Sequence, residues 1–429
     1  CLMFKPTTSH LFCLVVLLAR SSVHSASYQH TPRKVLISMS EVPIREVSAN
    51  CDPVSYQTIG DTKELPHLLI EVEELLSRAT IRNPYFSPEW IECWWKRVDP
   101  GTKPLVVLSR CASGRLEGFW PFVERPAVLW SKGLWPMVYD EANYFVPIAT
   151  NAGMPALITG LKAQLKKYQF CWIPLMNNSF WEEYWEKEIA QSRFPTIARS
   201  PRMTSIVDVG TGGFDEFWSG KMGTKSRKSL RYDQKSLGEK GKVEVEVATN
   251  EKEVRAMLPA SCLVEVNSWK SEQVAGLYSI RGKRAFFFEL LPKLARNGRV
   301  RLTMIRVEDE PIAWELDLLD NDFCGIHNLS FDQSWKKYSP GKQLMEKNLR
   351  LAWEEGRRVD FLPSNLEYKK KIATRIEPVR ELHLFKKSLR GFLARRLIQW
   401  NMKVRKEIIV RASPSKARDF LRQAGEINS

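Results

Sequence analysis

The sequence predicts an α/β protein, because short apolar runs typical of strands alternate with longer segments whose apolar residues recur at helical spacing. The run from Val300 to Val307 is a clear strand, and the segment after Pro340 is a clear amphipathic helix. Apolar residues make up 44% of the chain and charged residues 27%, which is typical of a globular protein with sizeable cores. A length of 429 residues suits two or three domains.

The first predicted α/β unit extends from Val54 to Ser205. Its elements are a helix at 65–80, an aromatic helix at 91–98, hairpin strands at 104–108 and 116–122, a helix at 155–168 and a strand at 170–175. Ser87 followed by Pro88 is typical of a helix start. Trp90, Trp94 and Trp95 could line a groove, although packing in a core is the more usual role of such residues.

The second predicted unit follows a glycine-rich link at Gly210, Gly212 and Gly213. Its elements are strands at 243–247, 300–307, 311–319, 323–329 and 359–362, helices at 251–269, 281–296 and after Pro340, and an edge strand at 381–386. The order of strand, glycine-bearing turn, helix and strand around Gly341 is typical of a phosphate site. The free amides near Gly341 and Lys342 would face an anion there. An ordinary turn with proline at the first helical position is the alternative.

The charge pattern indicates an anionic partner. The net charge is +16 and the pI about 9.4, which suits nucleic acid, an anionic membrane surface or a polyphosphorylated ligand. Within the basic segment 221–242, one helical face carries Lys221, Lys225, Lys228, Arg231 and Lys235. This face is either solvated or an anion-binding element. The segment from Lys386 onward is also basic and has an apolar stripe, which favours either a membrane-surface helix or a tail packed by one face.

The eight cysteines are scattered and have no CxxC or histidine spacing, which favours reduced thiols in a cytoplasmic protein without a metal site. Residues 1–44 are predicted to be a loosely attached leader. The apolar run at 11–19 is too short to span a membrane and could belong to a secretory signal. We favour instead an upstream segment that precedes a natural start at Met39. The sequence has no G-x-S-x-G elbow, no phosphate-binding P-loop and no H-E-x-x-H helix, so the corresponding hydrolase mechanisms are disfavoured.

An ordered set of short motifs carries a family resemblance. It comprises Trp269-Lys270, Arg284-Ala285-Phe286-Phe287-Phe288, Asn297-Gly298-Arg299-Val300, Pro311-Ile312-Ala313, Phe331-Asp332, Tyr338-Ser339-Pro340-Gly341, Gly356, Asp360-Phe361-Leu362 and Tyr368-Lys369-Lys370. From about Thr224 to Lys371 the chain resembles the GNAT-type acyltransferase domain of the family named after bacterial cellulose-biosynthesis proteins, a relative of the Fem-type aminoacyltransferases. The resemblance implies two tandem GNAT-like domains, each a mixed central sheet flanked by helices. We expect a degenerate domain at 45–205, the acyltransferase domain at 206–387 and a basic helical tail at 388–429.

The resemblance implies an N- or O-acyltransferase that takes an acyl group, most simply acetyl, from acyl-CoA and needs no metal. The expected acceptor is a sugar, a polysaccharide precursor or another cell-envelope metabolite. The expected location is the cytoplasm, with the basic tail in contact with an anionic membrane surface. A Fem-type transferase that uses aminoacyl-tRNA is the first alternative, but no charged helical-arm insertion is visible in the sequence. A non-catalytic nucleic-acid or membrane-surface protein is the second, and nucleic acid is disfavoured because helix-turn-helix, RRM and zinc-finger patterns are absent.

The resemblance also implies a set of site residues. Glu315 and Asp332 are candidate bases, and Tyr368 or Tyr338 is the candidate acid for the leaving thiolate. The pyrophosphate is expected at the start of the helix after Pro340, with the pantetheine arm along the strand of Trp314. The full cofactor set is Trp314, Tyr338, Ser339, Gly341, Lys342 and Lys369, and the substrate set is Trp269, Lys270, Arg227 and Arg231. Glu315 could instead pair with a lysine, and Asp332 could cap a turn.

Overall fold

The structure is a computed structural model that describes residues 53–412 except 100, 128–130, 139–140, 193, 273–275 and 365. The predicted leader and the last residues of the predicted tail lie outside the described residues. Fourteen strands form one mixed sheet within the described part of the chain. They are β1 (Pro53–Ile59), β2 (Lys103–Cys111), β3 (Leu116–Pro126), β4 (Lys132–Pro136), β5 (Ile148–Ala149), β6 (Phe170–Met176), β7 (Thr196–Ala198), β8 (Arg202–Val207), β9 (Val243–Ala248), β10 (Val300–Val307), β11 (Glu310–Asp320), β12 (Phe323–Phe331), β13 (Arg358–Asp360) and β14 (Arg375–Phe385).

Helices flank the sheet, which confirms the predicted mixed α/β class. They are α1 (Leu65–Arg78), α2 (Pro88–Trp95), α3 (Met154–Lys167), α4 (Asn178–Phe180, continued by a π-helical stretch Trp181–Ile189), α5 (Phe214–Lys221), α6 (Thr224–Gly238), α7 (Glu251–Val266), α8 (Trp269–Glu272), α9 (Arg281–Arg296), α10 (Pro340–Glu354), α11 (Glu367–Ile372) and α12 (Leu389–Ala412). A 3-10 turn at Gln333–Tyr338 precedes α10. Helix α7 ends three residues earlier than the pattern predicts, and the short α8 follows it.

Strand β14 joins the two halves of the sheet. The strand order is β1-β2-β3-β4-β6-β14-β8-β13-β12-β11-β10-β9, with β5 on β3 and β7 on β14. The first part of β14, from Arg375 to Val379, pairs with β8, and its second part pairs with β6. The prediction of an edge strand at 381–386 is therefore wrong. The local pattern does not reveal that this late strand inserts between strands from two different parts of the chain.

Strand β8 belongs with the later strands of the sheet. It pairs with β13 through Ile206 and Val207 and with β14 from Arg202 to Ile206. Residues 202–205, which the sequence places in the first unit, thus pair with strands of the second. The division of the chain into two GNAT-like domains stays a prediction.

The second half of the sheet carries helices on both faces. Trp314, Leu316 and Leu318 of β11 lie in the core cluster that includes residues of α7 and α9. On the other face, Ile312 and Ala313 pack with α6 and α10 in a separate cluster. From Ala313 onward, successive residues of β11 point to opposite layers, as the pleat of a strand requires, whereas Ile312 shares the layer of Ala313 because the register shifts there.

Most of the described cysteines confirm the expected free thiols, but one does not. Cys93, Cys171, Cys262 and Cys324 are free. Cys111 is disulfide-bonded, so the expectation of reduced thiols throughout is wrong at this position. The cysteines therefore no longer support a cytoplasmic location, because disulfides are uncommon in the cytoplasm.

Candidate active site

Strands β12 and β13 are parallel neighbours that separate after three residue pairs. Phe323, Cys324 and Gly325 pair with Arg358, Val359 and Asp360. Beyond this point β12 continues to Phe331, whereas the chain after β13 follows β8, with Phe361 N donating to Ser205 O (3.0 Å). An opening results between residues 326–331 on one side and 361–364 on the other. We call this opening the wedge.

A β-bulge at His327 lies on the β12 side of the wedge. Asp317 pairs with Ile326 and Leu316 with Asn328, so His327 is the extra residue. Its Nδ1 lies 3.3 Å from the hydroxyl of Tyr85 and 3.3 Å from Nδ2 of Asn143. Burial lowers the pKa of His327 to about 3, so the ring is neutral near pH 7. This histidine is a largely buried group with hydrogen-bond partners from the first half of the chain.

Asp360 lies at the narrow end of the wedge and connects the two halves of the protein. Its Oδ2 accepts a hydrogen bond from the hydroxyl of Tyr144 (2.7 Å), and its Oδ1 accepts from Leu362 N (2.8 Å) and from the hydroxyl of Thr204. Burial raises the pKa of Asp360. Tyr85 and Tyr144, both from the first half, therefore close the narrow end.

Two lysines lie on the sides of the wedge. Lys270 of α8 donates through Nζ to Leu329 O (2.6 Å) and to Oδ1 of Asn328, both on β12. Lys369 of α11 donates through Nζ to Phe361 O (2.8 Å) on the opposite side. Its neighbour Tyr368 is about half exposed, and burial, with a contribution from the carboxyl of Glu315, raises the pKa of Tyr368 to about 12. The predicted residues Lys270, Tyr368 and Lys369 are thus brought together.

The wide end of the wedge lies near the start of α10. Ser339 has a left-handed backbone (φ 51°), and its carbonyl accepts from Lys342 N (2.9 Å) and Gln343 N (3.3 Å). A Cβ at Gly341 would lie 3.2 Å from Cδ2 of Leu329 and 3.3 Å from Cδ1 of Phe331. Gly341 therefore lets α10 pack closely on β12. Lys342 is exposed.

Asp332 and Tyr338 serve the turn that precedes α10. Asp332 accepts through Oδ1 from Ser334 N (2.8 Å) and through Oδ2 from Nδ2 of Asn267 (2.7 Å). Tyr338 is buried in the cluster that contains Leu237 and Leu344. Asp332 therefore caps the turn, which is the alternative role given for it above. Tyr338 is packed in a core cluster, so Tyr368 is the better placed of the two candidate acids.

Glu315 lies in a buried polar layer between β11 and α10. Its Oε1 accepts from Nδ2 of Asn348 (2.8 Å), and Oδ1 of Asn348 accepts from the hydroxyl of Thr303 (2.8 Å). Burial, followed by the neighbouring Asp317 carboxyl, raises the pKa of Glu315 well above its usual value. A buried carboxyl whose protonated form is favoured in this way does not suit the role of general base. Glu315 nevertheless contributes to the raised pKa of Tyr368, which indicates that its carboxyl lies near the wedge.

Trp314 does not reach the wedge. Its side chain is fully buried on the opposite face of β11, with its ring centroid 5.3 Å from that of Tyr278. Strand β11 is also bonded to β10 and β12 along both edges. The expectation that a pantetheine arm lies along the strand of Trp314 is therefore wrong, and β12 is the strand with an unpaired edge.

The remaining substrate candidates lie on two different helices, α8 and α6. Trp269 of α8 is exposed beside Lys270. Arg227 and Arg231 lie on α6, which contacts both α10 and the Gln333–Tyr338 turn. Arg227 is half-buried and Arg231 exposed. The sequence missed Tyr85, Asn143 and Tyr144, because only the approach of the two halves brings them to the wedge.

The comparisons with known proteins agree with this geometry. The family model described as an acetyltransferase (GNAT) domain matches residues 224–370, which contain β10–β13 and α10. The chain carries a GNAT acetyltransferase domain. The enzyme is accordingly an acyltransferase, and a GNAT domain implies an acyl-CoA co-substrate. No curated protein sequence matches the chain at a significant level.

The chain is similar to several solved structures. The crystal structure of FemX has a TM-score of 0.54 and 12% identity, over 79% of this chain and 100% of that chain. The structure of L-PGS from Bacillus licheniformis has a TM-score of 0.45 and 12% identity, over 81% and 98%. A tandem GNAT protein from the clavulanic acid biosynthesis pathway has a TM-score of 0.39 and 9% identity, over 76% and 98%. The likeness to FemX supports the fold and does not extend to a substrate.

Proposed function

We propose that this protein transfers an acyl group, most simply acetyl, from acyl-CoA to an amine or hydroxyl of a sugar, polysaccharide precursor or other cell-envelope metabolite. The observation that carries the proposal is the wedge between β12 and β13, which opens next to the start of α10 inside the matched GNAT domain. An unpaired strand edge can bond an extended ligand as a further strand would. The positive end of the α10 dipole and the exposed Lys342 suit the pyrophosphate of CoA, although Lys342 N is itself bonded to Ser339 O.

The residues around the wedge fit acyl transfer from this co-substrate, which supplies the activated acyl group. The chain has to orient the acceptor and to provide for its proton and for the leaving thiolate. Tyr368 suits the role of proton donor, because a pKa of about 12 keeps its hydroxyl protonated near pH 7. A Fem-type transferase that takes its acyl group from aminoacyl-tRNA is the second candidate, which the fold of FemX favours. Between β9 and β14 the longest described helices, α7 and α9, have 16 residues each and pack in the core cluster instead of forming a helical arm, so acyl-CoA remains the preferred donor.

Binding of acetyl-CoA tests the proposal. We expect acetyl-CoA to raise the melting temperature, because a ligand of the native state stabilises it. Lys342→Ala should reduce this shift at low salt and lose its effect as salt rises, as is expected for an exposed charge contact. Lys252→Ala, which removes an exposed lysine of α7, is the matched control. A chain that gains no stability from acetyl-CoA or free CoA but does from an aminoacyl-tRNA would support the Fem-type candidate instead.

We also propose that α12 contacts an anionic membrane surface. Ala394 is buried in a cluster with Phe170 and Phe385. The same helix exposes Phe392, Leu393 and Trp400, together with several arginines. Exposed apolar residues combined with basic ones suit the interface of an anionic bilayer. Within the described residues, no helix is long and apolar enough to cross a membrane.

Vesicle flotation tests this contact. We expect the protein to float with vesicles that contain phosphatidylglycerol and to stay behind with pure phosphatidylcholine, because basic residues add to the apolar contact only on an anionic surface. The variant Phe392→Ser/Leu393→Ser/Trp400→Ser should lose flotation, whereas Tyr232→Ser, at an exposed position of α6, should keep it. Equal flotation of the triple variant and the original protein would show that α12 is not the contact.

A further inference from the structure

Lys270 and Lys369 are positively charged side chains whose only described partners are uncharged. Lys270 donates to a backbone carbonyl and a side-chain amide of β12, and Lys369 donates to the carbonyl of Phe361. Neither forms an ion pair with a carboxylate of the described residues. Each ammonium has three N–H donors, so Lys270 has one and Lys369 two beyond these bonds. Both side chains are half-buried, so the remaining donors face the wedge without full access to water.

The carboxylates in the neighbourhood are engaged elsewhere. Glu265, which faces Lys270 from α7, accepts from the backbone N–H groups of Leu277 (3.0 Å) and Tyr278. Asp360 and Glu315, which face Lys369, are bonded to Tyr144 and Asn348 respectively, and burial raises the pKa of both. Among the described residues, Lys270 and Lys369 thus have no carboxylate in direct contact, although Glu265, Asp360 and Glu315 act on them from a greater distance.

The pKa values of Lys270 and Lys369 are both lowered, as is expected for buried ammonium groups without a carboxylate in direct contact. Burial lowers the pKa of Lys270 against the opposing effect of Glu265, and with the smaller contributions of the Lys369 and Lys283 charges this pKa is about 8. Burial likewise lowers the pKa of Lys369 to about 8, against the opposing effects of Asp360 and Glu315. Lys283 is already paired with Glu141 (2.9 Å) and adds to the repulsion. Bringing partly desolvated like charges together is unfavourable, and an anion between them would relieve the cost.

We propose that Lys270 and Lys369 together bind an anionic group of the acceptor, a carboxylate or a phosphate, across the wedge. This inference rests on the proposed acyltransferase function and narrows its substrate class to acidic acceptors. The pantetheine arm of CoA is uncharged and so cannot supply the missing negative charge. The phosphates of CoA are expected at the start of α10, where Lys342 lies. Holding the acidic group from both sides would orient the acceptor for attack.

Small anions test the inference without assuming the rest of the acceptor. Acetate, methyl phosphate and the neutral acetamide are titrated at constant ionic strength, with and without saturating CoA, and the melting temperature is recorded. We expect acetate or methyl phosphate to stabilise the protein in both conditions and acetamide to have no effect. The relative response to the two anions tells a carboxylate acceptor from a phosphate acceptor. Lys270→Met/Lys369→Met should weaken anion binding about tenfold or more, since bonds to charged groups are the stronger ones.

Two further variants control for the loss of charge and shape. Lys166→Met/Lys167→Met removes two exposed lysines of α3 and should keep the anion effect. Lys270→Arg/Lys369→Arg retains both charges and should keep part of the stabilisation by anions. An unchanged anion response in a folded Lys270→Met/Lys369→Met protein overturns the inference, as does an equal response to acetamide. Absence of a CoA effect in the original protein, with the anion effect intact, would count against the proposed donor and not against the anion site.

The pH dependence of acetate binding gives a second readout. Acetate keeps its charge between pH 7 and 9, so any change comes from the protein. We expect its affinity to fall as the pH rises through about 8, because the two ammonium groups lose their protons there. Ordinary surface lysines would hold the affinity up to about pH 10. A flat profile to pH 9 would contradict a site built on Lys270 and Lys369.

Discussion

Asp317→Asn is expected to lower the free energy of unfolding by about 3 kcal/mol. Arg301 Nε lies 3.0 Å from Oδ2 of Asp317, and the exposed fractions of the two side chains are 1% and 0%. An arginine keeps its proton in proteins, so the substitution leaves a buried charge whose remaining carboxylate partner is the half-exposed Glu355 (2.8 Å). Urea denaturation followed by circular dichroism measures the change.

An exposed pair provides the matched comparison. Asp215 accepts from Arg350 at 2.7 Å but is fully open to water. Asp215→Asn should leave the unfolding midpoint unchanged, because solvent screens such pairs. If Asp317→Asn also left the unfolding midpoint unchanged, the buried polar layer between β11 and α10 would be far better solvated than its burial indicates.

Trp90→Ala is expected to destabilise the protein by about 3–5 kcal/mol, because it empties a large volume in a closely packed core. The indole is fully buried at the joint between the halves. Its ring centroid lies 4.9 Å from that of Tyr85, 6.0 Å from that of Phe286 and 5.9 Å from that of His327. Since these rings come from both halves and border the narrow end of the wedge, the stabilisation by acetyl-CoA should fall as well. Thermal denaturation followed by circular dichroism, with and without acetyl-CoA, measures both effects.

Trp400→Ala serves as the control, because this side chain is 59% exposed on α12. It should leave the melting temperature unchanged. A Trp90→Ala protein that melts at the original temperature would show that the aromatic joint adds little stability. A protein that then melted in two steps would show that the joint had coupled the two halves in unfolding.

Local patterns predicted most elements of the fold. Strand β10 has the predicted bounds, Val300–Val307, and α10 begins at the predicted Pro340. Both depend on side chains close together in sequence, since alternation marks a strand and a 3.6-residue repeat marks a helix. The sequence also indicates the glycine-bearing turn at Gly341, but it does not show that this turn lies against Leu329 and Phe331.

The candidate site could be predicted only in part. Lys270, Tyr368 and Lys369 were named from motif order, and the structure places them at one opening. Trp314 was assigned to the same site, but it points to the opposite face of β11. Motif order cannot tell which face of a strand meets a ligand when both faces are buried.

The sequence by itself determined the α/β class, the order of the elements, the basic surface and the presence of an acyltransferase-like second half. The first three depend on composition or on short-range periodicity, whereas the last rests on the resemblance of an ordered set of motifs to a known family. The tertiary structure alone decided that β14 lies between β6 and β8, that β12 and β13 separate after Gly325, and that Tyr85 meets His327. Those contacts join residues far apart in the chain, and their formation depends on how whole layers pack, which no local pattern records.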